Sequence, residues 1–252
     1  MTSSILVTGG TGTLGRQLVP QLRAAGFDTR VLSRRQHQPE QGVRYLRGDL
    51  LTGEGIEAAV TGADTVLHCA SGRKGDAEAA RTLVRAASAA APAPHLIYIS
   101  IVGVDRFSNS YFRSKLQAEE VVVGSGLPWT VLRVTQFYDL LLDGARKTAW
   151  LPVVPVPAKF MVQPIDTTDV AARLVQLAQG EPAGRVPDLA GPQVADAADL
   201  IRSYLARKGR RRPVVSVPMP GTGSVRRGAL LPEAAPEPGG RTWEEFLAAT
   251  VG

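Results

Sequence analysis

The chain has a single cysteine, Cys69, among its 252 residues, so it cannot form an internal disulfide. That usage fits a reducing, cytoplasmic setting. Its three histidines, His37, His68 and His95, are far apart in sequence, and no cysteine/histidine cluster has metal-ligand spacing. No metal site is expected. No apolar run approaches the length of a membrane span, so no membrane association is expected. The N-terminus enters a strand pattern at once, without a basic and then apolar leader, so no signal peptide is expected. Lysine is scarce, occurring only at positions 74, 115, 147, 159 and 208, and aromatics make up 6%. The formal net charge of +6 is therefore mostly arginine. Its densest run, Arg207-Lys208-Gly209-Arg210-Arg211-Arg212, follows a helix-like segment. The run reads either as an anion patch or as cations at a helix C-terminus. No aromatic residues interleave it, so nucleic acid is not expected as a partner.

What the chain does have is a short apolar run, Ile5-Leu6-Val7-Thr8, ending in glycines at three-residue spacing: Gly9, Gly12 and Gly15. An amphipathic segment follows, with Leu14, Leu18, Leu22 and Ala25 on one face. Strand, glycine turn and helix together place a diphosphate on a helix N-terminus, where free N–H groups and the positive dipole end meet the anion. Gly9 is expected to permit the tight turn, Gly12 the close approach of backbone to phosphate, and Gly15 close packing of helix on strand. Thr11, Thr13 and Leu14 complete the expected dinucleotide contacts. No Gly-Lys-Ser/Thr follows, which excludes a P-loop.

Apolar runs alternate with helical patterns through the first half. Strands are expected over 5–8, 29–33, 43–47, 65–69, 95–100 and 129–134, and helices over 15–25, 76–91 and 111–125. Right-handed crossovers then give an α/β, doubly wound parallel sheet, with ligands beyond the carboxyl ends of its strands. The dinucleotide-binding core is expected over 1–137. Residues 138–252, richer in proline, are expected to form a small C-terminal substrate lobe packed on the same domain, with core elements returning. Helices are expected there over 167–179, 195–207 and 242–251, and a short strand over 214–217. The stretch 218–240 holds too much Pro and Gly for regular structure, apart from a turn of helix near 225–230.

The second strand ends in Ser33-Arg34-Arg35, where an acidic residue would bind the ribose 2′-OH of NAD. A hydroxyl and two guanidiniums suit a 2′-phosphate instead, so NADP is the expected cofactor. Asp49 either accepts a hydrogen bond from the adenine amino group or caps the next helix, and Leu50 beside it is a further candidate cofactor contact. Cys69, Ala70 and Ser71 end the fourth strand, where small residues let backbone lie against the cofactor; His68 and the Cys69 side chain read as packed core. Tyr111 and Lys115 lie four apart at a helix start and share a face. An ammonium beside a phenol is expected to lower its pKa and allow proton exchange with a carbonyl or alcohol. Ser100, ending the preceding strand, is a candidate to polarise the substrate oxygen. Phe137, Tyr138, Trp150, Phe160 and Met161 either line an apolar pocket or form ordinary core.

The run Thr8-Gly9-Gly10-Thr11-Gly12-Thr13-Leu14-Gly15, with Tyr111-x-x-x-Lys115 after the fifth strand, resembles the short-chain dehydrogenase/reductase superfamily. Leu132-Arg133-Val134-Thr135-Gln136-Phe137, Gln163-Pro164-Ile165-Asp166 and Arg241-Thr242-Trp243-Glu244-Glu245-Phe246 resemble later motifs of its atypical, NmrA-like, NAD(P)-binding branch. The resemblance implies a Rossmann-type fold holding NADP, with Tyr111 as acid/base, Lys115 on the nicotinamide ribose, and Thr135, Gln136 and Phe137 near the nicotinamide. It implies an NADPH-dependent oxidoreductase acting on a carbonyl, enone or quinone of a small hydrophobic substrate. The branch also contains non-catalytic redox sensors, and an epimerase or isomerase would use the same parts. A monomer or homodimer is expected.

Overall fold

The computed structural model describes residues 3–38, 42–72, 75–107, 109–218 and 223–251. In chain order its elements begin β1 (Ser4–Thr8), α1 (Gly15–Ala24), β2 (Asp28–Ser33), β3 (Val43–Arg47), α2 (Ile56–Val60) and β4 (Thr65–His68). Next come α3 (Asp76–Ala89), β5 (His95–Ile101), α4 (Ser110–Val123), β6 (Trp129–Val134), α5 (Tyr138–Thr148), β7 (Val154–Pro157) and β8 (Met161–Val162). The chain closes with α6 (Thr167–Gln179), β9 (Gly184–Arg185), β10 (Leu189–Ala190), β11 (Ala195–Asp196), α7 (Ala197–Arg207), β12 (Val214–Val217), α8 (Gly223–Arg226), β13 (Glu237–Pro238) and α9 (Trp243–Thr250). The chain divides into two compact units. The first comprises Met1–Ser100, Ser108–Arg133 and Ala171–Val186; the second comprises Ile101–Phe107, Val134–Val170 and Pro187–Gly252.

The first unit is built on a sheet of order β6-β5-β4-β1-β2-β3, with β9 beside β6. The pairs β1/β2, β1/β4, β2/β3, β4/β5 and β6/β9 are parallel. This is the doubly wound, Rossmann-type arrangement expected from the alternating pattern. Strand order reverses between β1 and β4, so the switch point lies where the turn after β1 meets the loop after β4. β1 and β4 are buried at every position, as strands covered on both faces require. Leu6, Ile56, Val66, Leu83, Leu96 and Val122 share one core cluster with Leu50, whose side chain is therefore a packing residue.

A second buried feature joins β5, α4 and β6. Ser100 on β5 donates its hydroxyl proton to Glu119 on α4. Arg133 on β6 donates to the same carboxylate, with Nη2 2.7 Å from Oε1 and Nε 3.1 Å from Oε2. All three residues are buried. Neither ion is left uncompensated, which is the condition under which an interior can hold a charge pair.

In the second unit, β10 pairs in parallel with β13 and, through Leu189, with Val134 at the end of β6. β7 pairs in parallel with β12, and β8 pairs antiparallel with β11. The proline-rich texture suggested loop where β7 forms. Its Pro155 and Pro157 occupy alternate positions, and the ladder is instead bonded at Val154 N to Pro213 O (2.9 Å) and Ala158 N to Val217 O (2.9 Å). Tyr138, Trp243 and Phe246 form an aromatic core with centroids 5.2 to 5.6 Å apart. The Tyr138 hydroxyl donates to Arg241 O at 2.9 Å. Asp166, also buried, pairs with Arg241 at 2.9 Å, and Thr242 forms a capping box with Glu245. Arg207 donates to Val251 O at 2.9 Å and to Ala248 O at 3.3 Å, so one cation of the basic run covers the carbonyl end of α9. Residues 219–222 of the Pro/Gly-rich stretch lie outside the described residues; α8 falls just after them.

The ends of β1 and β4 are tied by a buried hydrogen bond of 2.7 Å between Thr8 Oγ1 and His68 Nδ1. Burial, and secondarily the Lys115 charge, lower the His68 pKa from 6.5 to about 4, against an opposing pull from Asp76. The unfolded chain therefore takes up a proton near pH 6.5 that the folded chain refuses until about pH 4. The contribution of His68 is complete above pH 6.5 and is lost as pH falls through that window, by about 3 kcal/mol in all. Urea denaturation followed by circular dichroism from pH 7.5 to 4 should show this loss in wild type and a shallower one in His68→Gln. Identical pH dependence in the two would exclude His68 as its source.

Candidate functional site

The turn after β1 is a cradle that only glycine fits. Gly9 has φ +74°, and a Cβ there would stand 2.6 Å from Ala70 N in the loop after β4. A Cβ on Gly15 would stand 2.4 Å from the backbone of Gly10. Gly15 thus packs α1 onto the turn itself, where the sequence suggested close packing onto the strand. The Gly12 amide donates to Gly9 O at 3.0 Å, closing the turn. Thr11, Gly12 and Thr13 are exposed, whereas Leu14 is buried beneath them. No side chain caps α1, and its first turn carries no acidic residue. A glycine-lined turn leading into a helix that no side chain caps suits a diphosphate, so the residues present fit a dinucleotide.

At the end of β2, Arg34 and Arg35 are exposed, and neither guanidinium has a bonded partner among the described residues. The Arg35 amide donates to Ser33 Oγ at 3.1 Å. The same hydroxyl shares a 2.8 Å hydrogen bond with His37 Nε2, and the His37 ring stacks on Tyr45 of β3 with centroids 4.6 Å apart. The part His37 and Tyr45 play beside Ser33 was not anticipated. Asp49 does not cap α2. Its carboxylate accepts from Leu51 N at 2.8 Å within its own loop, and the N-cap of α2 is Gly55.

The loop after β4 is held from below by Asp76, the first residue of α3. Its Oδ1 accepts from Gly72 N at 2.9 Å and its Oδ2 from Ser71 Oγ at 3.3 Å. Oδ2 also lies 3.2 Å from Lys115 Nζ on α4, and both side chains are buried. The ammonium sits over the Tyr98 ring, 5.9 Å from its centroid. Desolvation pulls the Lys115 pKa down and Asp76 pulls it back. Cys69 carries a thiol pushed up to about 12 by desolvation, so it is neutral, and Ala70 donates its amide to Thr8 Oγ1 at 3.3 Å.

Tyr111 lies one turn before Lys115 on α4, whose N-cap Asn109 accepts from Phe112 N at 3.0 Å. At 38% exposure its phenol reaches solvent. The sequence suggested that Lys115 would lower its pKa, and the structure reverses that sign. Partial burial raises the Tyr111 pKa, Ser71 opposes the rise, and the Asp76 charge adds to it. The ammonium is committed to Asp76, so the field at the phenol comes from an ion pair and not from a lone cation. The Tyr111 phenol is therefore neutral at physiological pH. Ser100, grouped with it from the sequence, is buried and has its hydroxyl committed to Glu119. The hydroxyl that the fold brings to Tyr111 belongs to Ser71.

Thr135, Gln136 and Phe137 fall in the second unit. Thr135 N donates to Leu189 O at 3.1 Å, and Phe137 bridges to Ile165. Thr135 Oγ1 and both polar atoms of the Gln136 side chain are buried without a partner among the described residues. Of the residues weighed as pocket or core, Tyr138 is core, Trp150 is 69% exposed, and Phe160 and Met161 are half-buried. Among the described residues no group of three His, Cys, Asp or Glu side chains could hold a metal ion. No helix there is long and apolar enough to cross a membrane.

Comparison with known proteins supports the Rossmann-type fold. The chain is 28% identical over 236 residues to the photosystem II assembly factor Ycf39 of Cyanophora paradoxa, covering 86% of this chain and 72% of that protein. It spans 57% of the length of the Ycf39 of Trieres chinensis. It is 31% identical over 205 residues to the (4-alkanoyl-5-oxo-2,5-dihydrofuran-3-yl)methyl phosphate reductase of Streptomyces griseus subsp. griseus, covering 77% of this chain and 70% of that one. Its fold matches the NADPH-dependent quinone oxidoreductase QOR2 of Escherichia coli, solved with NADPH, at a TM-score of 0.83 and 18% identity, over 98% of this chain and 100% of that one. A family model described as NAD(P)H-binding matches residues 9–181, and with it the chain belongs to the NAD(P)H-binding family.

Proposed function

We propose that the protein is an NADPH-dependent oxidoreductase that reduces a carbonyl, enone or quinone of a small hydrophobic substrate. One observation carries the reading: a neutral, part-exposed Tyr111 phenol stands one helical turn from a buried lysine, in the same unit as the glycine cradle. The amides of the turn after β1 hold the diphosphate at the N-terminus of α1. Ser33, Arg34 and Arg35 receive the 2′-phosphate, which takes paired hydrogen bonds from arginine. When bound, NADPH supplies a hydride to the electrophilic carbon. Tyr111 gives its proton to the oxygen that gains charge as that carbon is reduced, so a carbonyl leaves as an alcohol, an enone as the enol of its saturated carbonyl compound and a quinone as a hydroquinone. Lys115 supplies positive charge beneath that proton transfer, and its ammonium can donate to a ribose hydroxyl.

Reductase relatives support turnover. A competing reading draws on the relatives named as photosystem II assembly factors: a protein that binds the dinucleotide as a sensor or scaffold without consuming it. A panel of quinones, enones and aromatic ketones incubated with NADPH, with nicotinamide absorbance recorded, separates the two. The reductase reading expects oxidation by at least one class, and none by any would favour the scaffold. Tyr111→Phe should cut turnover by on the order of 100-fold or more with little change in nucleotide affinity; unchanged turnover removes Tyr111 from the chemistry. Arg34→Ala combined with Arg35→Ala should weaken NADPH binding by roughly tenfold or more and leave NADH nearly unaffected. Equal losses for both nucleotides would refute the 2′-phosphate assignment.

A further inference from the structure

We propose that Asp76 is the positioning residue of this site, joining the buried Lys115, the loop after β4 and, through Ser71, the Tyr111 phenol into one polar unit. The proposal rests on the reading of Tyr111 and Lys115 as the proton-handling pair. Nothing in the spacing of a Tyr-x-x-x-Lys motif requires a carboxylate from a different helix.

The geometry is specific. Asp76 begins α3, where a carboxylate is favoured by the helix dipole, yet no α3 amide is recorded among its hydrogen bonds. It points instead to three outside groups: Gly72 N at 2.9 Å, Ser71 Oγ at 3.3 Å and Lys115 Nζ at 3.2 Å. Two of these are residues of the loop after β4. The third lies on α4, which packs against α3. Asp76 is 5% and Lys115 4% exposed, so each ion depends on the other for compensation.

The surroundings leave Asp76 as the charge that matters. Lys115 is faced from β4 by His68 and Cys69, both neutral near pH 7. From β5 it is faced by Tyr98, whose phenol is pushed up by burial and by the Asp76 and Glu119 charges. Glu119, one turn further along α4, is occupied by Arg133 and Ser100. Burial pulls the Lys115 pKa down, and the Asp76 charge and hydrogen bond pull it back up. The Ser71 hydroxyl donates to Asp76 and adjoins the Tyr111 oxygen. Asp76 therefore fixes the charge on the lysine, the place of the loop, and the partner of the phenol.

The test compares full-length wild type with Asp76→Asn, which keeps shape and removes charge, and with Ser71→Ala on the exposed side of the unit. NMR titration of the Lys115 side chain, assigned with Lys115→Arg, reads the charge without needing turnover. In Asp76→Asn the Lys115 midpoint should move to lower pH, and exchange of the Gly72 amide should quicken. In Ser71→Ala the Tyr111 midpoint should move to higher pH, and this variant carries the test if Asp76→Asn does not fold. Where a substrate is in hand, Asp76→Asn should lower kcat by on the order of tenfold to 100-fold with a smaller change in the KM for NADPH, and Asp76→Glu should recover part of it. An unchanged Lys115 midpoint in folded Asp76→Asn, or an unchanged Tyr111 midpoint in Ser71→Ala, would overturn the proposal. A wild type that oxidises no NADPH would refute the reductase reading while leaving these titrations to decide the role of Asp76.

Discussion

Two backbones approach each other at the carboxyl ends of β1 and β4, and the rest of the site depends on how closely they do so. The approach is possible only because position 9 has no side chain: a Cβ there would lie 2.6 Å from Ala70 N. The Thr8 hydroxyl then serves both partners, sharing a hydrogen bond with His68 and accepting one from Ala70 N. With the two loops joined, the uncapped N-terminus of α1 opens at the point where strand order reverses. A parallel sheet leaves its ligand crevice at that point whatever chemistry the family member performs.

The second constraint is electrostatic. A buried lysine is costly unless an anion meets it, and the chain supplies that anion from α3 and not from the phenol it was expected to activate. Partial burial, with the Asp76 charge adding to it and Ser71 opposing it, raises the Tyr111 pKa, so the phenol keeps its proton. The pair of Glu119 and Arg133 solves a similar problem one turn away and claims the Ser100 hydroxyl in doing so. Two buried ion pairs on one helix thus have different neighbours: one lies beside an accessible phenol, the other is sealed.

Much of this was legible in the chain. Alternation of apolar runs with helical patterns located β1 to β6 to within a residue or two, because strands buried on both faces must be continuously apolar. The glycine turn was legible because each glycine answers a steric demand that no other residue meets. The partners of the charged residues were not. Asp76 looks like an ordinary acidic residue in the first turn of a helix, and only the packing of α3 on α4 turns it toward Lys115. Ser71, not Ser100, adjoins the phenol for the same kind of reason: hydroxyl contacts depend on which loop the tertiary fold brings near, and sequence spacing does not contain that information. The prolines around β7 hid a strand because alternate placement spares the ladder donors. His37 meets Ser33 within four residues of chain, and its stack on Tyr45 depends on β3 lying beside β2.

The central claim is that the uncapped, glycine-lined helix start receives a diphosphate. Calorimetric titration of the full chain with NADPH, and separately with 2′-phospho-ADP-ribose, tests it most directly. The second ligand keeps the diphosphate and 2′-phosphate and lacks the nicotinamide. The account predicts saturable binding of both, since the anionic half of the cofactor meets the protein at the turn after β1 and the end of β2. No saturable binding of NADPH, or binding of NADPH with none of the fragment, would contradict it.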